Sequence, residues 1–472
     1  MGIYQCNILR KMLHELKGIS IKASVQFWCF FAIYAIITFY HCILSGRIPN
    51  NDEAHAWLIA EHFNIFQIIE IMNNEGHYLL WYLVIMPFAK FNLFYPISIQ
   101  CINWLFTIGA VYLLWKKSPF STLLKIVITF SCPFLNVYPM YARCYSIGIF
   151  FLFLSACLYS KRLEHPYKYL ITLVLCANTN LIFCFLSCIL AGCFLYDLIK
   201  SKVSNKIILT IISILILNLI LWYFQFSSVI VPHYAIKIRP NMVVYLLGIM
   251  PLYNIINIIK INLLRMTLMI YFILIYKSKK IFYISLFTIF FYLVLFSSVY
   301  YTMHSLHKWL LFILMIFLYW MYKSERNLDC KNFVEKSFFE IFIILVFSFF
   351  IFSHEKNWHG YNYTKINSNI FTNISDNKLV SILPYLEKQN IKMYDIEGTE
   401  YYSFGQIKSL YSGRKIAPNI DKIAQIGKIN DIVILYRETP NLSGEKYIIN
   451  LSKPIEFERY KMHRIESIKV IK

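Results

Sequence analysis

The feature that most constrains this chain is an apolar run of about twenty residues, Phe27 to Leu44, and its repetition. Similar runs of roughly 17–20 residues recur as far as Ile351, and each is long enough to cross a bilayer as a helix. A helix satisfies its own backbone N–H and C=O groups, which is why it survives where water cannot. Hydrophobic residues make up 58% of the 472, against roughly 45–50% in soluble domains. These runs predict an all-α polytopic membrane protein. The first run follows Arg10, Lys11, Lys17 and Lys22, exceeds a usual signal h-region and lacks a cleavage site. It is expected to be retained as a span.

The net charge is +21, and its distribution matters more than its size. Residues 354–472 hold 18 basic and 13 acidic residues, whereas residues 1–353 hold 28 and 12. Much of the excess sits in short clusters between apolar runs, where Lys and Arg orient helices. Nucleic acid is not implied. The 12 cysteines are scattered with no CxxC pair, so neither a disulfide framework nor a metal knuckle is expected.

Placing the basic clusters inside predicts one path. A span at about 25–45 leads outward and leaves a loop, 46–96, whose first part lies outside. Lys116 and Lys117 belong inside, so the run 97–115 must descend. The stretch 78–95, with Pro87 and Lys90 in it, is then left at the outer surface as an interfacial helix. Spans at 122–140, 144–160, 168–182, 183–199 and 207–225 follow. An outer loop at 226–243 and an interfacial stretch at 244–260 precede spans at 262–276, 281–300, 308–322 and 337–353, about eleven in all. The domains are thus 1–353 in the membrane and 354–472 outside. The tail is long enough for a small α/β or α+β domain, with a strand expected at "DIVILY" (Asp431–Tyr436) and a helix at 378–389.

Acid is scarce and concentrated. Of the 12 acidic residues up to position 353, five lie in the first loop: Asp52, Glu53, Glu61, Glu70 and Glu75. Only Glu164 and Asp197 follow before Ser324, both near expected inner helix ends. Carboxylate chemistry on the outer face must come mainly from this loop. The pair Asp52 and Glu53 can take a proton from an attacking acceptor, or hold a divalent cation such as Mg or Mn with His55 as a third ligand. The structural alternative is that Asp52 caps a helix starting near Glu53. Glu75 and His77 are further candidates as cation ligands or acceptor contacts, or else solvated surface residues.

Arg143 falls at an outer helix end, two residues before Tyr145. It can grip a phosphate bidentately or snorkel to lipid headgroups. His304, His307 and Lys308 lie at another outer end, with the same two readings open.

"NDEAHAWLIAEHF…EGHYLLWYLVIMPFAKF" resembles the first outer loop of the GT-C glycosyltransferases, in particular bacterial relatives of the protein O-mannosyltransferase and aminoarabinose-transferase group. "YPMYARCYSIGIFFLFLS" (Tyr138–Ser155) is similar to the segment where an Arg-x-Tyr opens a descending helix in that group. "NTN" (Asn178–Asn180) and "YYTMHSLHKWLL" (Tyr300–Leu311) are similar to later outer-end motifs. The chain departs from the group at Tyr78, where relatives commonly have Pro, and in lacking an Arg before His304 and His307.

The resemblance spans about residues 25–355 and implies a multi-pass enzyme of the bacterial inner membrane, with site and tail extracytoplasmic. It further implies transfer of a sugar from a polyprenyl-phosphate donor to an envelope glycan, lipid or protein acceptor, by a single inverting displacement. Asp52 would sit at the reaction centre, Glu53 beside it as support or cation ligand, and Arg143 with Lys308 at the leaving phosphate. The rival from another class is a transporter or flippase of a lipid-linked glycan. Transporters usually keep polar or charged groups near mid-membrane and often show paired halves, whereas here the span centres are nearly free of acids, no repeat is found and the acids sit at one rim.

Overall fold

The computed structural model describes residues 23–45, 47, 49–72, 77–91, 93–226, 255–298 and 305–326, and in the tail 393–394, 424–425, 427–428, 432–436, 447–451, 455–456 and 460–470. The described chain is mostly helical. In order the helices are α1 (Ala23–Phe39), α2 (Asn51–His62), α3 (Ile65–Met72), α4 (Leu79–Lys90), α5 (Ile97–Lys117), α6 (Thr122–Thr129), α7 (Cys144–Tyr159) and α8 (Pro166–Ala177). They continue as α9 (Leu181–Lys200), α10 (Asn205–Phe226), α11 (Ile255–Ile275), α12 (Lys279–Ser298) and α13 (Ser305–Arg326). A π-helical turn, Tyr40–Leu44, prolongs α1.

Among the described residues four helices are long and apolar enough to cross a bilayer: Val25–Leu44, Ile97–Lys117, Leu181–Lys200 and Asn205–Gln225. At 1.5 Å per residue, the 21 residues of α5 span about 31 Å, the thickness of a hydrocarbon core. These helices carry large exposed apolar side chains, such as Leu105 and Tyr112 on α5 and Leu217 and Tyr223 on α10, as a surface facing lipid requires.

Three expected elements differ. The stretch 122–140 is not one helix: α6 stops after eight residues, and a second π-helical turn, Pro133–Val137, follows. Pro133 has no N–H to donate, so the ladder breaks there. Carbonyls of the irregular stretch that follows are met by side chains of neighbouring helices. Tyr34 Oη donates to the Phe134 carbonyl at 2.8 Å, and Asn103 Nδ2 donates to those of Tyr138 and Pro139 at 2.8 and 2.9 Å. Ser146 Oγ adds a 2.9 Å bond to the Tyr138 carbonyl. Second, α8 ends at Ala177 rather than 182, where the Asn178–Asn180 turn intervenes. Third, positions 255–275 form one helix instead of an interfacial piece and a separate span. The span expected at 337–353 and the helix at 378–389 lie outside the described residues.

The bundle has two chemically different ends. At one, Arg162 Nε and Lys280 Nζ both reach Asp197 Oδ2, at 2.9 and 2.6 Å. Tyr159 Oη and Ser278 Oγ donate to Glu325 at 3.3 and 2.5 Å. Lys116 lies over the Phe27 ring, 3.9 Å from its centroid, at the start of α1. The far ends of the same helices hold the described part of the loop 46–96. Cys42 Sγ contacts the Pro139 carbonyl at 3.2 Å near the close of α1, and Gln100 near the start of α5 donates to the Arg47 carbonyl at 3.0 Å. The chain therefore leaves and re-enters the bundle at one end, and α2, α3 and α4 stay there. Trp57, Leu58 and Ile59 of α2 and Trp81, Tyr82 and Ile85 of α4 are buried in the core.

In the tail, five strands form a sheet ordered β1-β2-β5-β3, with β4 also on β5. β1 (Met393–Tyr394) runs parallel to β2 (Ile432–Tyr436), so the chain between them crosses over. β5 (Tyr460–Val470) is antiparallel to β2, to β3 (Tyr447–Leu451) and to β4 (Ile455–Glu456). "DIVILY" supplies β2.

Candidate functional site

Local sequence explains how the acidic pair is presented. Asn50 caps α2: its side chain accepts from Glu53 N at 2.9 Å, and Glu53 Oε2 accepts from Asn50 N at 2.7 Å. This reciprocal box fixes the first turn. Asp52, the alternative cap, is not the cap. Neighbours on a helix point about 100° apart, so the box that turns Glu53 inward turns Asp52 outward.

The two acids thus have opposite surroundings. Glu53 is fully buried, and Arg47, 5% exposed, grips it bidentately at 2.7 and 2.6 Å. Ala142 N donates to it as well, at 2.6 Å. Two guanidinium and two backbone donors converge on one carboxylate, which ties α2 to the segment before α7. Asp52 keeps its side chain 53% exposed. Its Oδ2 accepts a short hydrogen bond from Tyr141 Oη and pairs with Arg143 Nη1 at 3.2 Å. Arg143 itself is buried.

Tyr141 was not singled out from the sequence. Arg143 N donates to the Tyr141 carbonyl at 2.8 Å, a tight turn centred on Ala142. Positions 141 and 143 therefore reach Asp52 together.

Electrostatics follows from this geometry. Burial pushes the Asp52 carboxyl upward, but the Arg143 charge, the Tyr141 hydrogen bond and the nearby His77 and His55 outweigh it. Asp52 is held below the usual carboxylate range. Burial and then the Asp52 charge push the Tyr141 phenol well up, so it remains a donor at neutral pH. Burial opposes the charge of Arg143, but Asp52 together with Tyr141, Tyr82 and Cys144 outweighs it, and Arg143 stays cationic.

The segment around His77 joins the same place. Its Nδ1 lies 3.1 Å from Cys144 Sγ, the residue after Arg143, and its ring meets that of Tyr145 edge-on with centroids 5.9 Å apart. His77 also forms an antiparallel bridge with Asn180, flanked by Tyr78 N to the Thr179 carbonyl and Leu80 N to the Asn178 carbonyl, each 3.1 Å. Asn178 is tied to α10: it donates to Asn218 Oδ1 at 2.7 Å and accepts from Trp222 Nε1 at 3.2 Å. The patches at 52–91, 138–155 and 178–180, far apart in sequence, meet at one end of the bundle.

Other candidates are not brought together. Glu75 and His304 lie outside the described residues, as do the side chains of His307 and Lys308 in the first turn of α13. Among the described residues no three His, Cys, Asp or Glu side chains group as a cation site. Asp52, Glu53 and His55 do not fit a divalent ion, because Glu53 faces inward and its oxygens are taken by Arg47 and backbone N–H. That expected ligand set is corrected.

Against protein-family models, curated proteins and solved structures, the chain gives no match.

Proposed function

We propose that this protein is a GT-C-type glycosyltransferase of the bacterial inner membrane. It moves one sugar from a polyprenyl-phosphate donor to an envelope glycan, lipid or protein acceptor on the outer face. One observation supports the reading most. A half-exposed carboxylate, braced by a phenol and a buried guanidinium, sits where the acid-rich loop meets an apolar helix bundle. The basic network at the opposite end fits the cytoplasmic side.

In the proposed reaction the acceptor oxygen attacks the anomeric carbon and its proton passes to Asp52. The bond from that carbon to the phosphate oxygen breaks, and its electron pair leaves with polyprenyl phosphate. Arg143 is placed to share its charge with that phosphate. As Arg143 turns towards the phosphate, Asp52 loses the charge that depresses its pKa and becomes a stronger base. Glu53 acts here as the anchor that sets α2 against α7, and no step is routed through a cation.

A strain lacking the chain, complemented with wild type or Asp52→Asn and analysed by mass spectrometry of envelope glycans, tests this. Wild type should restore a missing sugar, and the variant, present in membranes at normal level, should not. Full restoration by Asp52→Asn would remove the carboxylate from the chemistry.

A further inference from the structure

Asn180 caps the 20-residue helix α9 with one half of its amide. Oδ1 accepts from Ile182 N and Phe183 N, each at 3.1 Å. Because those two bonds need an acceptor, they fix which amide atom is oxygen. The other half, Nδ2, is buried with no hydrogen-bond partner, in a residue only 4% exposed. A buried donor left unmade costs free energy and calls for a reason.

Its position supplies one. Asn180 bridges His77, whose imidazole touches Cys144, the residue following Arg143. Thr179 and the Phe183 ring press against Gly148 in the second turn of α7, where even a methyl group would collide with the ring. The N-termini of α7 and α9 are thus held side by side. The N-cap of α7 is Arg143, whose side chain makes no capping bond. Through His77 and Cys144 the unpartnered amide N–H of Asn180 is linked to the buried guanidinium of Arg143, which pairs with Asp52. A guanidinium and an amide N–H are both donor-only groups, suited to an anionic oxygen.

We propose that Asn180 Nδ2 is a binding contact for a phosphate oxygen at this rim. This rests on the reading above, in which the phosphate arrives on a polyprenyl carrier.

The test uses the purified full chain in nanodiscs, with polyprenyl phosphate as probe and tryptophan fluorescence as readout. The same prenol without phosphate, inorganic phosphate and phosphatidylglycerol vesicles form the comparison arms. Asn180→Ser and Asn180→Asp both keep an oxygen to cap α9, so the unliganded melting temperature should move little. Affinity for polyprenyl phosphate should fall about tenfold or more in both, as for loss of a hydrogen bond to a charged group. Binding confined to the polyprenyl arm assigns the lipid-linked source; equal dependence on Asn180 for inorganic phosphate assigns a free one. If both variants bind as wild type does, the contact is refuted while the functional reading stands. If wild type shows no preference for the phosphorylated prenol, both fall. A sharp loss of melting temperature in both variants would make the amide structural and also overturn the assignment.

Discussion

Glu53→Gln separates the two acids that the sequence presents as a pair. The substitution keeps size and one oxygen but turns the other acceptor into an NH2 facing a donor. Glu53 now receives Arg47 at 2.7 and 2.6 Å, Asn50 N at 2.7 Å and Ala142 N at 2.6 Å, all away from solvent. Removing its charge leaves the Arg47 guanidinium, 5% exposed, without its counter-ion. Breaking a buried pair in this way costs about 3–5 kcal/mol. The assay is the fraction of detergent-purified protein still monodisperse after heating, measured beside Asp52→Asn. Glu53→Gln should lower the midpoint by several degrees, and Asp52→Asn, at a half-exposed carboxylate, by clearly less. Replacing Arg47 and Glu53 together with Met should recover part of the loss, since neither charge is then buried alone. A Glu53→Gln protein as heat-stable as wild type yet unable to transfer sugar would refute the anchor role and return Glu53 to the chemistry.

Asp52→Asn should reduce turnover about 10²–10⁴-fold, the usual worth of a positioned general base, checked by transfer kinetics at saturating donor. Tyr141→Phe removes a hydrogen bond that lowers the Asp52 pKa, so the acid limb of the pH–rate profile should shift to higher pH. The stability that Asp52 contributes is present above its unfolded pKa of about 3.9 and is lost only as pH falls through its lower folded value. Wild type should accordingly melt above Asp52→Asn from about pH 4 upwards, and the two should converge as the pH falls below that value. Gly148→Ala should cost about 1–3 kcal/mol by forcing the Phe183 ring away, and should weaken transfer by displacing the start of α9, read by melting and by kinetics.

The sequence disclosed the large features because each rests on a strong, repeated signal. Long apolar runs gave α1, α5, α9 and α10, and basic clusters marked one end, where Arg162, Asp197 and Lys280 are joined. The loop from Arg47 to Pro96 was legible as an excursion at one end because Lys116 and Lys117 fix where α5 finishes. The break at Pro133 was missed because an apolar window averages over a single proline. The division of labour between Asp52 and Glu53 was also missed, although Asn50-x-x-Glu53 is a readable capping box. The role of Tyr141 depends on a fold-back across 89 residues, which no local pattern contains.

The most direct test of the account is the sidedness of the acidic rim. In a background without reactive cysteines, Asp52→Cys and Lys200→Cys are each treated in intact cells with a membrane-impermeant maleimide. Position 52 should label from outside and position 200 only after permeabilisation. Labelling of position 52 only after permeabilisation would put the carboxylate on the wrong side of the membrane for a lipid-linked donor, and the account would fail.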